Sequence, residues 1–352
     1  MPLRKMGVRY MNKWYDISGK NDDVVVASRI RLARNFNDYV YSGTLGRDVS
    51  DQMIQAVTEE FRSEYTKGYN YFYTGSCDSI GRQSLKEKML INDYLAGRDD
   101  GAAVISEDES VSILLNAEDH VRIQVIRSGM NMAECYNVAN EIDDYLDGRF
   151  DYAFDEKYGY KTTYPTNIGT GLRASYILHL PSLRDARKLS HISTELGRFG
   201  MKFKPVFAEG NGQGGAFYRI STQRSIGLSE KEIIKDLDDM VYRLINQERE
   251  QREAFYSTNR IQMEDEVYKS YGVMKYARRL SFKDALMLIS VLKQGMALGI
   301  LKFRDGTEYN TIKMIMEIMP SVIAKRAGRT LSSEETEIER ATYIRDNSPE
   351  IV

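Results

Sequence analysis

Cysteine is scarce. Cys77 and Cys135 are the only two in 352 residues, too few for a disulfide framework to hold the fold. Proline is scarce too: there are six, and none lies between Pro2 and Pro165, so long regular elements can run through that span. No apolar run approaches the length of a membrane span, and residues 1–9 carry no apolar signal core. Excess charge is also missing: 49 Lys and Arg face 51 Asp and Glu, for a net of −2. That balance argues against a general nucleic-acid or membrane-surface binder. The expectation is a soluble, cytoplasmic protein. Its length allows one large or two ordinary domains with sizeable cores.

What is present falls into two parts. The front part reads as α+β. Val24-Val25-Val26 opens an extended segment that continues through Arg29 and Arg31. If the chain stays extended there, both arginines point to one side. Two guanidiniums on one side repel unless an anion lies between them. Met53, Ile54, Val57 and Phe61 recur at helical spacing, predicting a helix over 47–67. A tyrosine-rich link (68–80) and a helix near 82–91 follow. Three short apolar runs, 102–106, 110–116 and 120–126, are separated by acidic turns and predict a meander. In the third, Val121, Ile123 and Val125 alternate with His120, Arg122 and Gln124. One face is therefore core and the other polar, as expected of an edge or half-open sheet, with Glu118 at its entrance.

Helices are expected at 130–149 and 182–199, strands at 201–208 and 216–221, and a long helix at 229–255. The glycine-rich stretch 209–215 between those strands reads as a mobile lid. Beyond residue 256 the pattern is helical throughout, near 262–271, 282–298, 309–325 and 333–346, with Ser281 and Asp284 as a capping pair. The expected division is a domain over 1–256, an antiparallel sheet flanked by helices, and a smaller all-helical domain over 257–352.

The chain turns on residues 163–175. A proline-opened turn leads to Gly169-Thr170-Gly171, then Arg173, then the apolar run from Tyr176. Glycines there allow backbone amides near an oxyanion, and Arg173 can fork onto phosphate oxygens. Alone, a Gly-x-Gly is equally a plain turn.

Four stretches in order resemble the ATP:guanidino phosphotransferase family, and most closely its bacterial protein arginine kinase branch. They are Ala27–Asn35, Asn116–Ile123, Pro165–Ser175, and Lys204–Glu209 with the Ile220-Ser-Thr-Gln strand. Residues 265–273 and 277–281 are similar to that branch. The resemblance implies transfer of the γ-phosphoryl group of ATP, carried with Mg²⁺, to protein arginines in a stress-response or quality-control setting. It implies nucleotide binding by Ala27, Ser28, Arg29, Ile30, Arg31, Arg82, Met89, Arg122, Arg173, Ala174, Ser175, Tyr176, Ile177, Lys204 and Glu209. Glu118 and Glu209 are the implied catalytic carboxylates, with no metal ligand from the protein. A guanidinium is a poor nucleophile, and a carboxylate must orient it and take its proton.

The implied partners are arginine-bearing proteins, a zinc-binding activator and a Clp protease system, without nucleic acid or membrane. The implied assembly is a homodimer through the helical domain. Glu337 and Arg340 fall in the branch's phosphoarginine-binding motif, which this chain fits only in part. Other departures are Ala117, Tyr164, Gly212, Met89 and the Lys204-Pro205 pair, which stands where the family has Arg-Gly and exchanges a bidentate fork for a point charge. These leave open a weakly catalytic adaptor, and the missing N-terminal domain of the metabolite kinases argues against a kinase for a free guanidino compound.

Overall fold

The computed structural model describes residues 12–64, 68–207, 214–304 and 309–352. In chain order the elements are β1 (Val25–Arg34), α1 (Arg47–Glu64), β2 (Tyr69–Tyr73), α2 (Ser79–Glu87), α3 (Asp93–Ala96), β3 (Ala102–Ser106), β4 (Val111–Leu115), β5 (Val121–Ser128) and α4 (Met132–Asp147). The hairpin β6 (Phe154–Asp155) and β7 (Gly159–Tyr160) precedes β8 (Leu172–His179), α5 (Pro181–Asp185), α6 (Leu189–Arg198), β9 (Met201–Pro205) and β10 (Phe217–Thr222). Then come the helices α7 (Glu230–Thr258), α8 (Arg260–Tyr276), α9 (Phe282–Ala297), α10 (Thr311–Glu317), α11 (Pro320–Ala327) and α12 (Ser333–Asp346).

Eight strands form one sheet in the order β2-β3-β4-β5-β1-β8-β10-β9, and every neighbouring pair is antiparallel. The expected meander is β3-β4-β5. β5 is a central strand, however, not an edge: it lies between β4 and β1, and His120, Arg122 and Gln124 are buried and not simply wet. The tyrosine-rich 68–80 segment, expected as a link, supplies β2.

Alternation sorts the sheet into two faces. Ile30, Leu32, Ile123, Val125, Leu172, Ala174, Tyr176 and Ile220 face helices α1, α4 and α7 in the larger core. The opposite face is divided. At one end Ala27, Ile126, Ile177 and Phe217 are buried beneath the C-terminal helices, among Val267, Met274, Leu286 and Ile289. At the other end the same strands carry cations. The helical part thus finishes the core at one end of this face.

Two helices expected to be continuous are broken. Residues 182–199 split into α5 and α6 at Arg187, which holds a left-handed φ of 58°. Residues 309–325 split into α10 and α11 at Pro320, which has no amide to continue the ladder and sits where a new helix starts. Ser281 caps α9 by accepting from the Asp284 amide at 3.0 Å.

Candidate active site

The polar zone is built by register. Arg31 on β1 lies directly opposite Arg173 on β8 and Gln124 on β5, and Arg29 lies opposite Ser175. Two residues further along β5, Arg122 is opposite Ala33. Across β8, Ser175 faces Ser221 and Ile177 faces Arg219, and Arg219 in turn faces Lys204 on β9. One sheet face therefore presents Arg29, Arg31, Arg122, Arg173, Arg219 and Lys204 together.

Few groups neutralise these cations. Arg29 donates to the Gln124 amide oxygen and, at 3.3 Å, to the Met89 carbonyl. Arg31 keeps its Nε buried with no hydrogen-bond partner among the described residues. Arg173 donates to Thr166 Oγ1 and Asn167 Oδ1, at 3.2 and 3.1 Å, so the proline-opened turn aims it. Burial, then repulsion from Arg219 and Arg122, push Arg29 down to about 9. Burial and repulsion from Arg29 and Arg122 hold Arg31 well below the usual guanidinium range. A guanidinium stays charged in a protein, so this zone is a cluster of like charges that an arriving polyanion would relieve.

Glu118 sits at the rim. It follows Asn116, a residue in left-handed backbone at φ 53°, in the tight connection between β4 and β5. Its carboxylate accepts from Asn92 Nδ2 at 2.6 Å and from Arg122 Nη1 at 2.9 Å. Behind it, Asp119 Oδ1 accepts from Asn35 at 2.9 Å and from the Thr163 amide at 2.7 Å, while Thr163 Oγ1 donates to the Glu118 carbonyl at 2.6 Å. The motif residues from β1, the β4–β5 connection and the 163–175 stretch are thereby tied into one frame.

Several expected residues lie elsewhere. Ile30, Ala174 and Tyr176 point to the opposite face. Tyr176 is fully buried and donates to Asp238 at 2.6 Å. Ser28 also faces away and is spent on the Gly129 carbonyl at 2.6 Å. The reason is the strand period: a contiguous five-residue stretch cannot place every side chain on one ligand. Ala27 and Ile177 share the cationic face but sit under the helical part. Arg82 is outside the cradle, donating to Cys77 O, Arg98 O and Asp99. His120 leaves the polar row as well: it is buried, and its Nδ1 accepts from the Phe36 amide. Glu209 and Gly212 lie outside the described residues.

The glycines of the central turn act through packing. The Thr170 amide donates to the Ser225 carbonyl at 3.2 Å. A Cβ at Gly169 (φ 112°) would meet Ser225 O at 2.2 Å, and one at Gly171 (φ 66°) would meet Arg34 Nη1 at 2.4 Å. These glycines let backbones touch, so the expected amide nest is replaced by a close junction. Of the expected phosphoarginine residues, Glu337 is held by Arg279 at 2.5 Å. Arg340 is buried and donates to Ile318 O and Leu280 O at 3.1 and 3.0 Å, which makes it an anchor between helices.

The residues missed from sequence are Arg219, Gln124 as the Arg29 acceptor, and Asn92. Arg219 could have been found by alternation with the core residues Tyr218 and Ile220. Asn92 had no local signal.

A face of guanidiniums with one oriented carboxylate at its edge has the chemistry that phosphoryl transfer to a cationic acceptor requires. Comparisons agree. Residues 48–251 match the model of the ATP:guanido phosphotransferase C-terminal catalytic domain, and residues 260–350 match that of the protein-arginine kinase McsB C-terminal domain. A protein-arginine kinase from Bacillus licheniformis is 36% identical over 98% of this chain and 96% of its own length. One from Clostridium tetani is 34% identical over 95% and 98%. Among solved structures, lombricine kinase aligns with a TM-score of 0.56 at 21% identity, covering 65% of this chain and 67% of that one. The duplicated taurocyamine kinase of Schistosoma mansoni aligns at 0.58 and 21%, covering 70% of this chain and 36% of that one; both likenesses bear on fold. The chain belongs to the ATP:guanido phosphotransferase family, and its full-length relatives are protein-arginine kinases.

Proposed function

We propose that the chain is an ATP-dependent protein-arginine kinase that transfers the γ-phosphoryl group to arginine side chains. The observation that carries this reading is Glu118, fixed by Asn92 and Arg122 at the rim of a cationic face that has almost no counter-charge among the described residues. Arg29, Arg31, Arg122, Arg173 and Lys204 hold the phosphate chain, with Met89 and Ser175 beside them. The acceptor guanidinium binds Glu118 in plane. As the bond from its Nη to Pγ forms and the Pγ–O bond to ADP breaks, Glu118 takes the Nη proton. The arginines meet the charge on the transferring group, which is the main catalytic demand of such a transfer.

The face offers donors to phosphate and few oxygens to a metal. It therefore suits Mg²⁺ held by the nucleotide's own phosphates, where the ion supplies charge neutralisation. Glu209 is retained as a second carboxylate of this reading. Family resemblance supports a homodimer through the helical part, a cytoplasmic quality-control role, and a zinc-binding activator and Clp protease system as partners. No helix among the described residues is long and apolar enough to cross a membrane.

The test uses the purified chain, Mg·ATP and an unstructured arginine-rich protein, with phosphoarginine read by mass spectrometry under non-acidic handling. Glu118→Gln should lower the yield by about 10²-fold or more while nucleotide still binds. Equal yields from both proteins would remove Glu118 from the mechanism. No phosphoarginine from the wild type, with nucleotide still bound, would leave a binding protein without the chemistry.

A further inference from the structure

Arg219 has no family motif to explain it, yet it stands on the cationic face beside the edge strand β9. Its neighbours Tyr218 and Ile220 belong to the core, so the strand period turns Arg219 onto the cationic face. In register it lies between Ile177 on β8 and Lys204 on β9. Its Nε is enclosed and has no hydrogen-bond partner among the described residues. Its Nη2 reaches Met89 Sδ at 3.6 Å, and a thioether is a weak acceptor. No carboxylate among the described residues pairs with it. Its charge instead opposes Arg29, Arg31 and Lys204.

A partly buried guanidinium among like charges, with no anion, is a net cost to the fold. Such a cost is relieved when an anion arrives. Lys204, directly opposite, brings one ammonium that can meet an oxygen only as a point charge, where the family has an arginine. A guanidinium on the neighbouring strand restores a planar fork at the same edge of the site.

We propose that Arg219 is a phosphate-binding residue that, paired across the strands with Lys204, closes the β9 side of the cradle and makes the bidentate contact that Lys204 gives up. The proposal rests on the nucleotide-binding reading above. It makes the two positions a compensating pair, with the arginine moved from β9 to β10.

The experiment is calorimetric titration of Mg·ADP and Mg·ATP into the wild type, Arg219→Gln, Arg219→Lys, Lys204→Arg and the Arg219→Gln/Lys204→Arg double variant, with thermal unfolding of each. Arg219→Gln should weaken binding about tenfold or more, the loss of a charge-assisted contact. Arg219→Lys should fall between it and the wild type. Restoring the arginine on β9 in the double variant should recover most of the loss, which a purely structural role for Arg219 would not produce. Binding of Arg219→Gln within twofold of wild type, with unchanged unfolding, overturns the proposal. If Arg219→Gln does not fold, Arg219→Lys decides: a folded lysine variant that binds as tightly as wild type overturns it equally. A wild type that binds no nucleotide would instead sink the kinase reading, and this proposal with it.

Discussion

At the scale of the residue, what matters is which way a side chain is turned. Arg31 and Tyr176 both stand in stretches that resemble nucleotide-binding motifs, yet they face opposite sides of one sheet. Tyr176→Phe should therefore leave Mg·ADP affinity within about twofold and cost about 1 kcal/mol of stability, the worth of the lost bond to Asp238. Denaturant midpoints and calorimetry read the two effects separately, and a large loss of affinity would return Tyr176 to the nucleotide site. Arg31→Met should do the reverse. Removing an unrelieved charge from the cluster should raise the stability of the ligand-free protein by about 1 kcal/mol, as function-serving residues often allow, while nucleotide affinity drops about tenfold or more. A destabilised Arg31→Met with intact binding would contradict both halves.

At the scale of the element, the junction between β8 and α9 is decisive. His179 ends β8, is fully buried, and shares a hydrogen bond of 2.8 Å between its Nε2 and Ser290 Oγ on α9. Burial first, then Lys293, Arg252 and Arg184, hold its pKa well below the ordinary 6.5. The folded protein thus keeps His179 neutral. Its contribution to stability is fully present above about 6.5 and is lost as pH falls below that value, because the unfolded chain then takes up the proton that the folded one refuses. Urea unfolding between pH 7 and 5.5 should show stability falling by up to about 1.4 kcal/mol per pH unit from this group. In His179→Gln that slope should be shallower; an identical slope would assign the pH dependence to other groups. The sequence places His179 in an apolar strand run, and only the docking of α9 gives it a partner.

At the scale of the whole molecule, the helical part is not an appendage. It covers Ala27, Ile126, Ile177 and Phe217 on the sheet, and Glu87 at the end of α2 accepts from the Ser321 amide at 2.8 Å and its hydroxyl at 3.0 Å at the start of α11. A fragment ending at residue 258 should expose that apolar half-face and aggregate or unfold at temperatures where the full chain is native. A monomeric fragment with the full chain's melting temperature would show that the sheet does not need the cover. The cationic zone makes a matching demand. A nucleotide at about 100 times its dissociation constant should stabilise the folded protein by about 2.7 kcal/mol, visible as a rise in melting temperature.

The sequence by itself determined the alternation that puts Arg29 with Arg31 and separates Arg122 from its apolar neighbours, because side-chain direction in a strand is a local property of period two. It determined the meander, the helical character of the C-terminal third and the motif residues of the site, since each is written within a few consecutive positions. Only the tertiary structure decided that β5, β1, β8, β10 and β9 lie side by side, which gathers five arginines and a lysine from five strands. It alone sent Arg82 to Asp99, placed Asn92 on Glu118, spent Arg340 on the Ile318 and Leu280 carbonyls, and turned the central glycines from anion binders into points of backbone contact. Those outcomes depend on which distant segments meet, and the energy of such meetings is not carried by any one stretch of chain.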